Sequence, residues 1–246
     1  MWMLLLCVFV AGVIDAIAGG GGLITLPAYY AFGVPPHMAL GTNKFASTMG
    51  TLTASARFVR YRQIRWWAAL WASGAALLGS PVGARLAMAV EEKYLKYLLL
   101  GVVPLLAVLL FTKKDLGSPE AEPLPRWKEA LAAAGTGLVI GMYDGFFGPG
   151  TGTFLTLIFM SLLRMDVVKA CGTTKIVNLS SNVAALVTYA LGDKVLWKLA
   201  IPCAVVSILG NWLGSGLALK NGLRIVRPVM LVAMVLLLCK VAADMF

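Results

Sequence analysis

The stretch Ala39-Leu40-Gly41-Thr42-Asn43-Lys44 opens an apolar segment, and it returns as Ala170-Cys171-Gly172-Thr173-Thr174-Lys175 with four of six positions identical. The two copies differ in residue number by a constant offset, 175 − 44 = 131. Both copies place a lysine in sequence that is otherwise nearly free of charge. Such a position is unusual for lysine, so the pair indicates either a duplicated chain or chance, and the rest of the sequence decides between them.

The composition is that of a membrane protein. Of the 246 residues, 60% are hydrophobic and 13% are charged, with a mean hydropathy of +0.85, whereas about 25% of residues are charged in a soluble domain. Several uncharged runs approach or exceed the roughly 20 residues that cross a bilayer as a helix: residues 16–43, 145–163, 176–192 and 199–219. Runs this long without polar alternation exclude strands, so the sequence predicts an all-α integral membrane protein.

The net charge of +10 would suggest a nucleic-acid partner in a soluble protein. Here Lys and Arg lie between apolar segments, where the positive-inside rule expects them, so we predict a lipid bilayer and no nucleic acid. The N-terminal segment lacks the basic start and cleavage site of a signal peptide and is predicted to be a helix of the mature protein. Cysteines have no paired spacing, so neither a disulfide, a metal nor a cofactor is expected.

Two repeats organise the chain. Apolar segments are predicted at 2–18, 23–34, 39–62, 66–90 and 95–112, a proline-rich polar linker at 113–128, and further apolar segments at 129–147, 153–163, 170–191, 196–219 and 225–246. The offset of 131 holds for Lys44 and Lys175, Trp66 and Trp197, Gly79 and Gly210, Gly83 and Gly214, and Lys93 and Arg224. Chance does not maintain one offset over this length, so residues 1–112 and 129–246 are predicted to be tandem transmembrane repeats.

The loop charges favour inverted repeats. An odd number of crossings per repeat places 13 basic loop residues on the cytoplasmic side and 4 outside, whereas an even number gives 10 and 7. Segments 23–34 and 153–163 span only about 18 Å as helices, and each follows a glycine-rich break, at 19–22 and 148–152. We therefore predict two inverted repeats of about five helical segments each, with the first two segments broken or re-entrant.

The lysines are the main candidates for binding chemistry. A lysine deep in the bilayer costs about 2.5–3.5 kcal/mol, so it should face an anion, a carboxylate or water. We expect helices to start at Gly41 and Gly172, which would add free N–H donors and a favourable dipole for an anion. The alternative is that each lysine snorkels to the interface from a helix end, which does not require the same motif twice.

Asp15 and Asp144 are the acids flanked on both sides by long apolar sequence. Three interpretations stay open: they pair with the lysines, they carry protons for coupling, or they cap the broken helices. For Gly79, Gly83 and their equivalents we predict close helix packing. For the glycine-rich breaks we predict exposed backbone donors.

The motif Asp-x-x-x-Gly-x-Gly-Gly followed by Ala-x-Gly-Thr-x-Lys, present in both halves with the Trp and Gly-xxx-Gly that follow, resembles the TauE/SafE family of sulfite exporters and related permeases. The resemblance covers essentially the whole chain. It implies secondary transport of a small anion such as sulfite, a sulfonate or a carboxylate across the cytoplasmic membrane of a prokaryote. Because Asn43 is matched by Thr174 and Gly20 by Pro149, the half-sites need not bind equivalently.

The sequence thus predicts a permease and not an enzyme, with alternating access around a central site. Predicted substrate-binding residues are Lys44, Lys175, Thr42, Asn43, Thr173, Thr174, Gly21, Gly22, Gly150, Gly152 and Asn178, with Asp15 and Asp144 as coupling residues. The partners are a small anion, a coupled proton and the bilayer, and a homodimer is one assembly open to the chain. An anion channel is the alternative, and an intramembrane aspartyl protease is disfavoured because its Gly-x-Gly-Asp signature is absent.

Overall fold

The structure is a computed structural model that describes residues 1–91 and 124–222, together with 224–226, 228, 229 and 232. The two long ranges form eight helices: α1 Trp2–Ala18, α2 Gly22–Ala31, α3 Pro36–Arg60, α4 Trp66–Ala89, α5 Arg126–Phe146, α6 Thr151–Ser161, α7 Val167–Leu191 and α8 Trp197–Asn221. The described residues contain no strand, so the all-α prediction is confirmed.

Most predicted segments match observed helices closely. Helix α1 covers the predicted residues 2–18, and α4 and α8 begin at Trp66 and Trp197. Helix α5 begins at Arg126, directly after Pro125 and within the stretch predicted as a linker. The predicted segment 95–112, most of 113–128 and most of 225–246 lie outside the described residues.

Both predicted glycine-rich breaks are present. Helix α1 ends at Ala18 and is followed by Gly19, whose φ of 80° is left-handed, and α2 begins at Gly22. In the second repeat, Gly150 has a φ of 79° immediately before α6. Left-handed backbone is inexpensive for glycine alone, so glycine allows the chain to stop one helix and start another within a few residues. The helices that follow have 10 and 11 residues.

Glycines also hold the helix pairs in close contact. Gly79 and Gly83 of α4 lie against backbone atoms of α5, while Gly210 and Gly214 of α8 lie against backbone atoms of α1. A side chain at any of these positions would overlap the neighbouring helix. The predicted small-residue packing is therefore confirmed, and each pairing joins a helix of one repeat to a helix of the other.

Helices α3 and α7 lie antiparallel. Gly41, near the start of α3, contacts the carbonyl oxygen of Lys194, just after α7. Gly172, near the start of α7, contacts the carbonyl oxygen of Gln63, just after α3. The start of each helix therefore lies beside the end of its equivalent in the other repeat.

Two hydrogen bonds follow the same pattern, since each joins the first turns of one of these helices to the loop that follows the other. The backbone N–H of Leu196 donates to Thr42 Oγ1 over 3.0 Å, and the backbone N–H of Arg65 donates to Thr173 Oγ1 over 3.1 Å. Residue 65 plus the offset of 131 is 196, and residue 42 plus 131 is 173. The two hydrogen bonds therefore join equivalent pairs of residues, one in each direction between the repeats.

Polar and apolar side chains are distributed as in a protein surrounded by lipid. Large apolar residues such as Leu70, Leu78 and Leu209 are exposed, while Lys44 and Lys175 are buried. By length and mean hydropathy, α8 qualifies as a membrane span among the described helices, and α1 and α6 are shorter apolar helices. Polar residues inside α3 and α7 lower the mean hydropathy of those helices, and they converge on the centre of the molecule.

Candidate functional site

The centre of the molecule is the point at which the two glycine-rich breaks touch. Gly19 packs directly against the backbone of Gly152 at the start of α6. The backbone N–H of Thr153 donates to Gly19 O over 3.3 Å, and Thr153 Oγ1 donates to Ala18 O over 2.8 Å. The end of α1 and the start of α6 are thus fixed to each other, so groups carried near either break come together.

Lys44 forms a buried ion pair with Asp144 at this centre. Lys44 Nζ lies 2.8 Å from Asp144 Oδ2, and both side chains are 3% exposed. The ammonium also donates to Asn182 Oδ1 over 3.0 Å, and Ser181 Oγ donates to Asp144 Oδ2 over 2.5 Å. Both charges are therefore neutralised and hydrogen-bonded, which a buried ion pair needs in order to be tolerated.

Lys175 forms the equivalent pair with Asp15. Lys175 Nζ lies 3.2 Å from Asp15 Oδ2 and also donates to the backbone oxygen of Asp15. Asp15 Oδ1 accepts from the backbone N–H of Gly21 over 3.3 Å. The lysine side chain is 2% exposed, but the aspartate is 19% exposed, so this pair is the more open of the two.

Each ion pair joins the two repeats. Asp15 on α1 pairs with Lys175 on α7, and Asp144 on α5 pairs with Lys44 on α3. Of the interpretations left open for the aspartates, pairing with the lysines is confirmed. The snorkelling interpretation is wrong, because both ammonium groups bind carboxylates in the interior.

Between the repeats lies a polar cavity of about 20 Å³, which has room for about one water molecule. Its lining comes from both repeats and includes the first residues of α2 and α6: Asp15, Gly19, Gly22, Asn43, Lys44, Ser47, Asp144, Gly148, Thr151, Gly152, Asn178 and Asn182. The starts of two helices and one ammonium group thus face a common space, and helix N-termini favour negative charge.

Seven of the predicted site residues border this cavity: Asp15, Gly22, Asn43, Lys44, Asp144, Gly152 and Asn178. Lys175 lies beside it on Asp15, and Gly21 borders a second cavity nearby.

The other four predicted site residues do not line either of these two cavities. Thr42 and Thr173 bind the loops at opposite ends of the molecule, Thr174 accepts a hydrogen bond of 3.1 Å from Thr156, and Gly150 sets the turn before α6.

The prediction that helices start at Gly41 and Gly172 is wrong. Helix α3 starts at Pro36, and α7 starts after Asp166, whose side chain caps it by accepting from the backbone N–H of Lys169. Proline at the first position and an aspartate cap are ordinary start signals, and they place both motifs in the second turn, where backbone N–H groups are used within the helix. The glycines serve close packing, and the helix starts at the cavity belong to α2 and α6.

Sequence reasoning missed Ser181 and Asn182. Their signal is the polar run Asn178-Leu179-Ser180-Ser181-Asn182 inside an apolar segment. Asn182 follows Asn178 by one helical turn, and its amide donates to Asn178 Oδ1 over 3.3 Å. The run therefore forms one polar face that reaches both Lys44 and Asp144.

The geometry does not suit an aspartyl protease. In such enzymes two carboxylates share a proton and activate water. Here Asp15 and Asp144 are each paired with a separate lysine, so the two acids do not form a shared-proton dyad.

Comparison with known proteins identifies the family to which the chain belongs. The family model described as sulfite exporter TauE/SafE matches residues 4–241. The chain therefore belongs to the TauE/SafE sulfite exporter family, a family of membrane transporters.

Among its relatives, a probable membrane transporter protein of Haemophilus influenzae is 37% identical over 98% of this chain and 94% of the relative. The probable membrane transporter protein ORF9 of a Sinorhizobium species is 34% identical over 98% of this chain and 92% of the relative. The probable membrane transporter protein YfcA of Escherichia coli is 34% identical over 95% of this chain and 86% of the relative. No solved structure matches the chain.

Proposed function

We propose that this protein is a multi-pass secondary transporter that moves a small sulfur-containing anion, such as sulfite or an organosulfonate, across the cytoplasmic membrane of a prokaryote. The observation that carries the proposal is the pair of buried lysines, each neutralised by an aspartate of the other repeat beside a common polar cavity. Burying a lysine in a membrane protein costs free energy, so a buried lysine usually has a charged partner and a function.

An anion can replace a carboxylate at this site without leaving a lysine uncompensated. Lys44 keeps a counter-charge whether it pairs with Asp144 or with a sulfite or sulfonate oxygen. The starts of α2 and α6 add donors and a positive dipole end at the same cavity. Asn178 and Asn182 offer amide groups for further hydrogen bonds.

The cavity is smaller than such an anion, so substrate entry requires the repeats to separate locally. Both ion pairs cross between repeats, and separating them frees the lysine on the side that opens. The antiparallel placement of α3 and α7, together with the charge distribution of the loops, supports inverted repeats that rock about the centre. In this scheme the anion replaces Asp144 at Lys44 and Asp15 at Lys175 in turn. Asp15 and Asp144 are the groups that can couple this replacement to the binding of a proton.

Flux measurements in proteoliposomes test the proposal. Purified wild-type protein should carry labelled sulfite or a short sulfonate, with accelerated exchange when unlabelled substrate is on the other side, a response expected of a carrier and not of a channel. We expect Lys44→Gln and Lys175→Gln to lower the rate by 10-fold or more, since losing a charge-assisted hydrogen bond costs about 1.5–3 kcal/mol. Exchange of short carboxylates without any exchange of sulfur anions would assign the site to a different substrate class.

Lys169→Gln provides a matched control. Lys169 lies on α7 with Lys175, but its side chain is exposed and pairs with exposed Asp166 over 3.7 Å. Its substitution should leave flux unchanged. Normal transport by both Lys44→Gln and Lys175→Gln would disprove the site.

A further inference from the structure

The two ion pairs differ in what surrounds their carboxylates. Asp144 receives the hydroxyl of Ser181. At the repeat offset, 181 − 131 = 50, the equivalent position in the first repeat is Gly50, which has no side chain to donate. Asp15 instead receives the backbone N–H of Gly21 at the long distance of 3.3 Å. Each carboxylate thus has one ammonium and one further donor, but the contacts of Asp15, at 3.2 and 3.3 Å, are longer than those of Asp144, at 2.8 and 2.5 Å.

A second cavity of about 20 Å³ borders Asp15 on this side. Six of its lining residues carry side-chain oxygen atoms, namely one carboxylate, two amides and three hydroxyls: Asp15, Asn43, Asn211, Thr25, Ser47 and Ser207. Its volume suits one occupant of about the size of a water molecule. This cavity shares Asp15, Asn43 and Ser47 with the central cavity.

Asn211, one of the residues that line this cavity, carries an unsatisfied acceptor. Its Nδ2 donates to the backbone oxygen of Ser207 over 3.0 Å, which fixes the orientation of the amide. Its Oδ1 is buried with no hydrogen-bond partner among the described residues, and the residue is 2% exposed. A buried acceptor left unpaired loses its hydration without compensation. An occupant that binds to oxygen atoms would remove this cost.

The chemistry of the lining selects a small cation. Carboxylate, amide and hydroxyl oxygens are ligands for hard cations, and the carboxylate of Asp15 repels an anion. The charge of Asp15 is already balanced by Lys175. Among the described residues, no three His, Cys, Asp or Glu side chains lie close enough together to hold a metal ion. One carboxylate in such a balanced setting suits a monovalent ion better than a divalent one.

We propose that this cavity binds one Na⁺ ion through Asp15, Asn43, Asn211 and the neighbouring hydroxyls. The symmetry-related position lacks the same ligands, because Thr174, Ser80 and Ala76 occupy the positions that match Asn43, Asn211 and Ser207. Bound Na⁺ adds positive charge beside the central cavity and favours an anion there. That coupling rests on the proposed function, but binding of the ion does not.

The binding is measured on purified protein without any anionic substrate. We expect saturable binding of radioactive ²²Na⁺ and a rise in Tm when choline is replaced by Na⁺ at fixed ionic strength and pH, because a ligand that binds the folded state stabilises it. Li⁺ should substitute in part, and K⁺ should not. Asn211→Ala should lower the Na⁺ affinity by about 10-fold or more, whereas Ser80→Ala at the equivalent position should keep it.

If Asn211→Ala does not fold, Asn43→Thr and Ser207→Ala replace it, since each copies the residue of the other repeat. Absence of saturable Na⁺ binding in the wild type would overturn the inference, as would undiminished binding in the variants. A Tm that responds to pH and not to Na⁺ would assign the cavity to a proton or water and also overturn it. Na⁺ binding without sulfite flux would contradict the proposed function alone, and Na⁺-independent sulfite flux without Na⁺ binding would contradict this inference alone.

Discussion

Each lysine at the centre depends on one carboxylate. Removing either member of a buried pair leaves the other charged and unpaired, and this usually costs more than the intact pair contributes. Lys44 and Asp144 come from different repeats, so their pairing also fixes how the repeats meet. The same residues can thus hold the two halves together and exchange one anionic partner for another.

Lys44→Met is expected to destabilise the protein by about 3–5 kcal/mol, because it leaves Asp144 buried without a cation. Adding Asp144→Asn should recover most of this loss, since the second substitution removes the uncompensated charge. Unfolding in detergent, followed by tryptophan fluorescence, gives the comparison. Lys169→Met, at an exposed position on α7, should change the free energy of unfolding by no more than about 0.5 kcal/mol. A double variant as unstable as the single one would show that charge compensation is not the cause.

Helix pairs between the repeats are held by contact of backbone with backbone. Helix α4 packs on α5, and α8 packs on α1, in both cases through glycines spaced four residues apart. Such spacing places two glycines on one face of a helix. The packing could be predicted from the sequence for this reason, but the partner helices could not, because a glycine pair does not identify what it contacts.

Gly83→Ala tests this packing, since a Cβ at Gly83 would overlap the carbonyl oxygen of Met142 on α5. We expect a loss of about 1–3 kcal/mol, the usual cost of overpacking, measured as a lower Tm in detergent. Gly74→Ala is the matched control, because Gly74 lies on the same helix and its added Cβ would meet nothing within 4 Å. That variant should be neutral or slightly stabilised by the higher helix propensity of alanine. Equal effects of the two substitutions would contradict the packing argument.

At the scale of the whole molecule, the duplication can be predicted from the sequence, but the contacts between the two repeats cannot. A constant offset of 131 in residue number reveals two equivalent halves, and uncharged runs reveal helices, because both features are local or periodic. Which aspartate pairs with which lysine depends on how the halves meet, and no local pattern contains that information. The Gly-Thr motifs resemble helix starts because glycine and hydroxyl residues favour them, but the actual start signals, Pro36 and Asp166, lie five and six residues before Gly41 and Gly172.

The reciprocal contacts make a prediction about membrane orientation. Arg62 and Asp193 are equivalent positions, since 62 + 131 = 193, and both have positive φ angles, of 55° and 53°. Each follows a long helix, α3 or α7, and these two helices are antiparallel. If both helices cross the bilayer, the two turns must lie on opposite faces, which is the property that defines inverted repeats.

Single cysteines at the two turns can establish this orientation. In a background without the native cysteines, Asp193→Cys should react with a membrane-impermeant maleimide in intact cells, whereas Arg62→Cys should react only after the membrane is opened. The basic loop that contains Arg62 is expected on the cytoplasmic face by the positive-inside rule. The exposed, left-handed turn is common to both positions, so a difference in labelling reports the side of the membrane and not the local geometry. Labelling of both variants from the same side would require parallel repeats, and the rocking of inverted halves about the lysine centre would then have to be abandoned.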